Sequence, residues 1–120
     1  FDLPFLAIRC LEGYYTTLFH EMAHSTGHSK RLARDGVTKA QGFGSDPYAK
    51  EELVAEMTAA MLSGIAGIED ETIENSAAYC QSWIRQFQSD KTLIVKAASA
   101  AQKAANWILG NKTNTAKEEE

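Results

Sequence analysis

The chain has 120 residues, of which 44% are hydrophobic and 23% charged, and its formal net charge is −4 at pH 7. This length and mixture predict one globular domain with its own core, and they exclude a multi-domain, disordered or collagen-like chain. The acidic balance argues against this part binding a phosphate backbone by itself. No apolar run approaches the ~18 residues of a membrane span, and the start has no signal-peptide pattern. We therefore expect a cytoplasmic protein without a membrane partner. Because residue 1 is Phe, we interpret the chain as part of a longer protein.

The first helix is predicted over Leu11–Thr26, ended by Gly27, and Phe1–Arg9 holds at most a short strand. An apolar stripe repeats at helical spacing along it and is expected to face the core: Leu11, Tyr15, Leu18 and Met22. The Gly-rich and charged stretch Arg31–Ser45 is predicted to be a loop.

A second helix is predicted from about Pro47 to about Gly64, followed by a connection over Ala66–Thr72. The third helix, about Ile73–Gln88, has an apolar seam, and the fourth, about Lys91–Leu109, has an alanine-rich face that allows close helix packing. We thus expect a mainly α domain of about four helices over residues 1–112, followed by a polar acidic tail over 113–120. The two cysteines, Cys10 and Cys80, are too far apart for a CxxC pair and are expected to be reduced core thiols.

One motif carries chemistry: His20-Glu21-Met22-Ala23-His24, which has the pattern HExxH. Histidines four residues apart lie one turn apart on the same helix face, so both imidazoles can bind one zinc ion. The glutamate between them is placed to act as the general base toward water. We expect the histidines to lie roughly opposite the apolar stripe.

A catalytic zinc site needs a third protein ligand. His28 is a weak candidate, because Gly27 should end the helix before it; a substrate-side or ordinary polar role fits it better. Glu52 and Glu56 share one face of the second helix, and helical phase does not choose between them. We favour Glu52 as the ligand, since Glu56, one turn later, is then placed to accept the ring N–H of a ligand histidine. Glu51 lies about 100° away and is expected to be exposed.

Several segments together resemble the zincin-like metallopeptidase domain of ArdC-type antirestriction proteins, which also occurs in plasmid and phage polyvalent proteins and TraC-type primases. They are His20–His28, Arg31-Leu32, Tyr48–Glu56, Asn75–Trp83 and Lys96–Leu109. The resemblance implies a zinc site of His20, His24 and a glutamate of the EELVAE stretch, with Glu21 catalytic. It also implies a bacterial, plasmid- or phage-associated protein, a sheet mostly upstream of Phe1, and single-stranded-DNA binding mainly through an N-terminal domain outside this chain.

Two functions remain open. The first is a zinc-dependent peptidase acting on a peptide or protein, with a basic or phenolic group stabilising the oxyanion. Tyr79 is a candidate for that group, although a core or interface tyrosine explains it better. The second is a DNA-protecting or DNA-binding accessory module whose metal site is structural or vestigial. A helical partner-binding domain is a third, bland alternative. The intact Glu21 favours the first, because a structural site needs no base there. The basic residues between His28 and Lys39 could contact nucleic acid or an acidic substrate, although a plain solvated loop is the better explanation.

Overall fold

A computed structural model describes residues 11–39, 46–68, 77–78, 80–82, 84–85, 88 and 91–111, and the structural statements below concern these residues. Four helices with defined bounds lie among them: α1 (Leu11–Ser25), α2 (Asp35–Thr38), α3 (Asp46–Ile65) and α4 (Lys91–Leu109). No strand occurs in the described ranges, and the mainly α fold is confirmed. Phe1–Arg9, Cys10 and the tail over 113–120 fall outside them.

The helix predictions hold closely where they can be compared. The bounds of α4 coincide with the predicted ones, α1 is one residue shorter at its C-terminal end, and α3 is one residue longer at each end. The predicted loop Arg31–Ser45 is wrong in one respect, because Asp35–Thr38 forms a single helical turn that a four-residue segment is too short to reveal by periodicity. Of the predicted third helix, residues 77–78, 80–82 and 84–85 are helical, Gln88 lies in a turn, and the other positions are outside the described residues.

Helix α3 is the centre of the fold, with α1 packed on one side of it and α4 on the other. Toward α4, the core is built from Ala49, Leu53 and Val54 of α3 with Ala97 and Ala101 of α4. All four alanines of the α4 interface are buried, as the alanine-rich face predicts, and their small side chains let the two helices approach closely: Ala97, Ala101, Ala104 and Ala105. Cys80 and Ile84 pack against the same cluster, and Cys80 is a free thiol.

The expected core stripe of α1 is wrong at two of its positions. Tyr15 and Leu18 are each 39% exposed, whereas Ala23, on another face, is fully buried. Met22 is half-buried, and the side chain of Leu11 lies outside the described part of the chain. The helix packs on α3 through small and polar side chains instead, so the face that carries the histidines is the one turned inward. Hydrophobic periodicity could not reveal this, because polar residues bonded across an interface look like solvated ones in the sequence.

A compact turn follows α1 and brings the chain back over its C-terminal end. Its backbone bonds run from Leu32 N–H to the Thr26 carbonyl (2.9 Å) and from Arg34 N–H to the Gly27 carbonyl (3.1 Å). Ala33 adopts a left-handed φ of 47° within it. The turn thereby holds Arg34 beside the last turn of α1. Within the described part of the chain, no helix is both long and apolar enough to cross a membrane.

Candidate metal centre

Helices α1 and α3 meet through a series of polar side-chain pairs. Thr16 Oγ1 lies 3.3 Å from Ser63 Oγ, His20 Nδ1 lies 2.9 Å from Glu56 Oε1, and His24 Nδ1 lies 2.7 Å from Glu51 Oε2. Residue numbers rise along α1 as they fall along α3, so the two helices run antiparallel. The four-residue spacing of the histidines thus places both rings against successive turns of α3.

Three donor groups converge between these helices. The Nε2 atoms of His20 and His24 are 3.0 Å apart, and the Glu52 carboxylate lies 3.3 Å from the first and 3.0 Å from the second. Two donors that each bind a tetrahedral zinc at about 2.0–2.1 Å are roughly 3.3 Å apart. This trio is the group of the described residues that meets the geometric requirement for holding a metal ion.

The other nitrogen of each ring is bound to a further carboxylate. Glu56 accepts the Nδ1–H of His20, and Glu51 accepts the Nδ1–H of His24. These bonds occupy Nδ1 of each ring and turn Nε2 toward Glu52, so Nε2 is the nitrogen that can bind a metal once the ring has lost its second proton. Both imidazoles are therefore oriented as metal-binding histidines are.

The expectation that Glu51 is exposed is wrong: its exposed fraction is 6%. Glu51 accepts hydrogen bonds from Arg34 through Nε (2.7 Å) and Nη2 (3.0 Å) in addition to the one from His24. Helical phase alone separated Glu51 from Glu52, but α1 and the turn after it cover both faces of this part of α3. The interaction with Arg34 makes burial of the carboxylate tolerable, because a buried charge needs a partner.

The pKa values of the two histidines reflect this acidic surrounding. Burial on its own lowers the pKa of His20, but its hydrogen bonds with Glu52 and Glu56 outweigh burial and raise the pKa to about 10. For His24, burial is likewise outweighed by the bonds with Glu51 and Glu52, which raise its pKa to about 9. Burial raises the pKa of Glu52, but the bonds with both histidines bring it down to about 2. The same balance of burial against His24 and Arg34 lowers the pKa of Glu51.

The charges around the trio suit a divalent cation. With both histidines neutral, the three glutamates 51, 52 and 56 and the single cation Arg34 leave a formal charge of −2. Two protons on the histidines balance it in the metal-free protein, which is why their pKa values are raised. One divalent ion on His20, His24 and Glu52 would balance it equally, so the residues present fit a metal of this charge.

The remaining predicted site residues lie elsewhere. Glu21 follows His20 on α1 and is exposed, as a group that meets a substrate has to be. His28 is exposed in the turn after α1, where its Nδ1 accepts the backbone N–H of Lys30 at 3.2 Å, and it is not part of the convergent trio. Tyr79 lies outside the described residues. The roles given to these residues and to the trio stay predictions.

Two residues of the site were missed from the sequence, Glu51 and Arg34. A weak signal for Glu51 exists in the run Glu51-Glu52, since an acid beside a ligand glutamate can reach the second histidine. No periodicity or motif indicates Arg34, because its position depends on the path of the turn after α1.

Comparison with known proteins identifies the family of the chain. A family model described as a zincin-like metallopeptidase matches residues 4–100. The chain is 43% identical over 98 residues to a DNA primase TraC of Escherichia coli, covering 82% of this chain and 9% of that protein. It is 34% identical over 115 residues to the uncharacterized protein y4eC of Sinorhizobium fredii, covering 96% of this chain and 36% of that one.

A solved structure of the antirestriction protein ArdC from plasmid R388, in a Mn(II)-bound form, matches with a TM-score of 0.64 and 45% sequence identity. The match covers 88% of this chain and 38% of that one. The chain thus spans well under half the length of these relatives. The match of the family model over most of the chain, together with the HExxH helix and its convergent glutamate, shows that the chain belongs to the zincin-like metallopeptidase family.

Proposed function

We propose that this domain is a metal-dependent hydrolase of the peptidase type, with His20, His24 and Glu52 as the ligands of one divalent ion. The single observation that supports it most is the convergence of the two Nε2 atoms and the Glu52 carboxylate, with separations of 3.0–3.3 Å. A structural zinc site usually has four protein ligands, whereas three leave a position for water or substrate. The donor set is therefore that of a catalytic site.

Two histidines and a glutamate are a donor set typical of zinc peptidases, so we propose zinc as the ion. The relative from plasmid R388 carries Mn(II) in its solved form, which makes manganese the alternative. When bound, the metal would act as a Lewis acid that lowers the pKa of water and polarises the scissile carbonyl. The chain's own residues would hold that ion and orient the two histidines, because Glu56 and Glu51 each accept an Nδ1–H.

Glu21 is proposed as the general base. Its carboxylate would take a proton from the attacking water and give it to the leaving amine nitrogen, as the new carbon–oxygen bond forms and the carbon–nitrogen bond breaks. Glu21 is one residue from a ligand histidine and exposed, so substrate can reach it. His28, exposed in the next turn, is proposed to be on the substrate side and not a ligand. Tyr79 is kept as a candidate oxyanion donor on its sequence position alone.

A second function is favoured by what the relatives are called. One is named an antirestriction protein and another a DNA primase, and both names concern DNA. The alternative is a DNA-protecting accessory module of a plasmid- or phage-borne cytoplasmic protein, in which the metal stabilises the fold and DNA is contacted mainly by other parts of the whole protein. In that case Glu21 has no chemical task.

A peptide-library cleavage screen with Glu21→Gln as the comparison separates the two. If the domain is a peptidase, the wild type should cleave peptides in a metal-dependent way. Glu21→Gln should lose this cleavage because an amide cannot accept the proton, while it keeps the fold and the metal. Cleavage at an undiminished rate by the pure variant would remove Glu21 from the mechanism. Absence of cleavage of any peptide by metal-loaded wild type would favour the accessory module.

A further inference from the structure

The Arg34 side chain makes more hydrogen bonds within the described residues than its place in a surface turn suggests. Its Nε and Nη2 bind the two oxygens of Glu51, at 2.7 and 3.0 Å. Nη2 also donates to the Ala23 carbonyl at 2.6 Å, and Nη1 donates to Thr26 Oγ1 at 2.7 Å. The guanidinium is thereby fixed to the end of α1 and to the middle of α3 at the same time.

The oxygen of Glu51 that Nη2 binds is the one that accepts the Nδ1–H of His24, at 2.7 Å. Arg34, Glu51 and His24 therefore form a continuous chain of hydrogen bonds that ends at the nitrogen opposite the convergent Nε2. Because Glu51 is only 6% exposed, removal of Arg34 would take two hydrogen bonds from a carboxylate that water largely cannot reach, and Glu51 would no longer be held against His24.

Gly27 makes this arrangement possible. A Cβ at this position would lie 2.5 Å from Val37 Cγ2, which is too close for a real contact, and 3.0 Å from Arg34 Nη2, which is tighter than most real contacts. The glycine of the motif region thus serves the approach of Arg34 to the end of α1, and its φ is not in the left-handed region.

We propose that Arg34 is a positioning residue of the metal centre, which acts through Glu51 to orient the His24 ring so that its Nε2 faces the ion. The inference rests on the proposed function for the identity of the trio as ligands. It assigns a role to a residue outside the HExxH motif and outside the glutamate pair on α3.

The test measures zinc affinity by chelator competition for the wild type, Arg34→Gln, Arg34→Lys and Arg31→Gln. Arg31 is a matched control, since it also ties this turn to the end of α1, donating to the Ser25 carbonyl and Oγ, but does not contact Glu51. We expect Arg34→Gln to weaken affinity about 10–100-fold, the usual effect of losing a residue that orients a ligand. Arg34→Lys should fall between, because a lysine keeps the charge but lacks the planar fork. Arg31→Gln should bind like the wild type.

A double-mutant cycle asks whether Arg34 acts through Glu51. In a Glu51→Gln background, Arg34→Gln should cause no further loss of affinity. An equal loss in both backgrounds, or wild-type affinity in Arg34→Gln, would overturn the proposal.

A second readout needs no metal. In the metal-free protein, nuclear magnetic resonance should detect the His24 Nδ1–H as a slowly exchanging proton in wild type and in Arg31→Gln, and find it lost in Arg34→Gln. Persistence of that signal in Arg34→Gln would contradict the proposal, including in the case where the wild type binds no zinc and the proposed function itself fails. If Arg34→Gln does not fold, Arg34→Lys takes its place, and loss of the His24 Nδ1–H signal in that folded variant would support the proposal.

Discussion

At the scale of single residues, the site depends on which atom of each side chain faces the shared centre. Both histidines turn Nε2 inward and use Nδ1 for a glutamate, Glu56 in one case and Glu51 in the other. Glu52 faces both Nε2 atoms at 3.0–3.3 Å, whereas Glu56 lies beside the Nδ1 of His20. The assignment of Glu52 as the third ligand and of Glu56 as the acid that orients His20 stays a prediction from the sequence.

The three candidate ligands should respond differently to substitution. Glu52→Ala is expected to lose most zinc affinity because it removes a donor. Glu56→Ala should lose about 10–100-fold, since His20 keeps its nitrogen but not its orientation. His28→Ala should bind like the wild type. Isothermal titration of the four proteins checks the series, and a larger loss for Glu56→Ala than for Glu52→Ala would reverse their roles.

Metal binding should displace protons from the two histidines. Their pKa values of about 10 and about 9 mean that both carry a proton at pH 7 in the metal-free protein. Because a metal binds the neutral ring, affinity should fall as pH falls, by up to about 100-fold per pH unit when two protons compete. Calorimetry in buffers of different ionisation enthalpy should therefore find close to two protons released per ion near pH 7.5. Release of none would mean that the histidines are already neutral.

The same raised pKa values fix the sign of the pH dependence of metal-free stability. Protonated histidines bonded to glutamates stabilise the fold fully below the unfolded pKa of 6.5, and this contribution is lost as pH rises through about 9–10. Metal-free protein should accordingly become less resistant to urea at alkaline pH, and loaded protein should not.

At the scale of helices and turns, the site is made where α1 crosses α3 and the following turn closes over both. The HExxH spacing and the bounds of α4, Lys91–Leu109, could be predicted because each depends on local periodicity. The burial of Glu51 and the exposure of Tyr15 and Leu18 could not, because both depend on which face of α1 meets α3. The position of Arg34 could not be predicted either, because the path of the turn that carries it is set by backbone hydrogen bonds and by the contact with Val37 and not by any sequence repeat.

Alanine substitutions at Gly27 and Gly64 test how closely the turn after α1 packs against Gly27. Gly27→Ala should destabilise the protein by about 1–3 kcal/mol, since the stiff Val37 side chain has to move to admit the new methyl group. Gly64→Ala is the matched control: no atom lies within 4 Å of its Cβ, and alanine in a helix should stabilise by up to about 1 kcal/mol. Urea unfolding measures both. Equal effects of the two substitutions would show that nothing approaches Gly27 closely.

At the scale of the whole molecule, both the net charge of the chain and the pairing of the cations in the turn after α1 indicate weak binding to nucleic acid. The formal net charge is −4. Of the basic residues between His28 and Lys39, Arg34 is bonded to Glu51 and Lys39 lies 3.6 Å from Asp35, so two of the four cations are already paired with carboxylates. A phosphate backbone is bound through cations that displace its counterions, and this turn has few to offer.

We therefore expect the isolated chain to bind single-stranded DNA weakly. Fluorescence anisotropy with a labelled oligonucleotide at several salt concentrations checks it, with Lys30→Glu/Arg31→Glu as the comparison. Tight, salt-sensitive binding that this double substitution abolishes would assign DNA binding to the turn and would contradict the expectation.

The central claim is that one divalent ion is held by His20, His24 and Glu52 between α1 and α3. The measurement that tests it most directly is anomalous diffraction at the zinc absorption edge from crystals of the zinc-loaded protein. The account predicts one anomalous peak about 2.0–2.2 Å from the Nε2 atoms of both histidines and from a Glu52 oxygen. A peak bonded to Glu56 or His28 with Glu52 turned away, or crystals of stoichiometrically loaded protein with no peak between these helices, would contradict it.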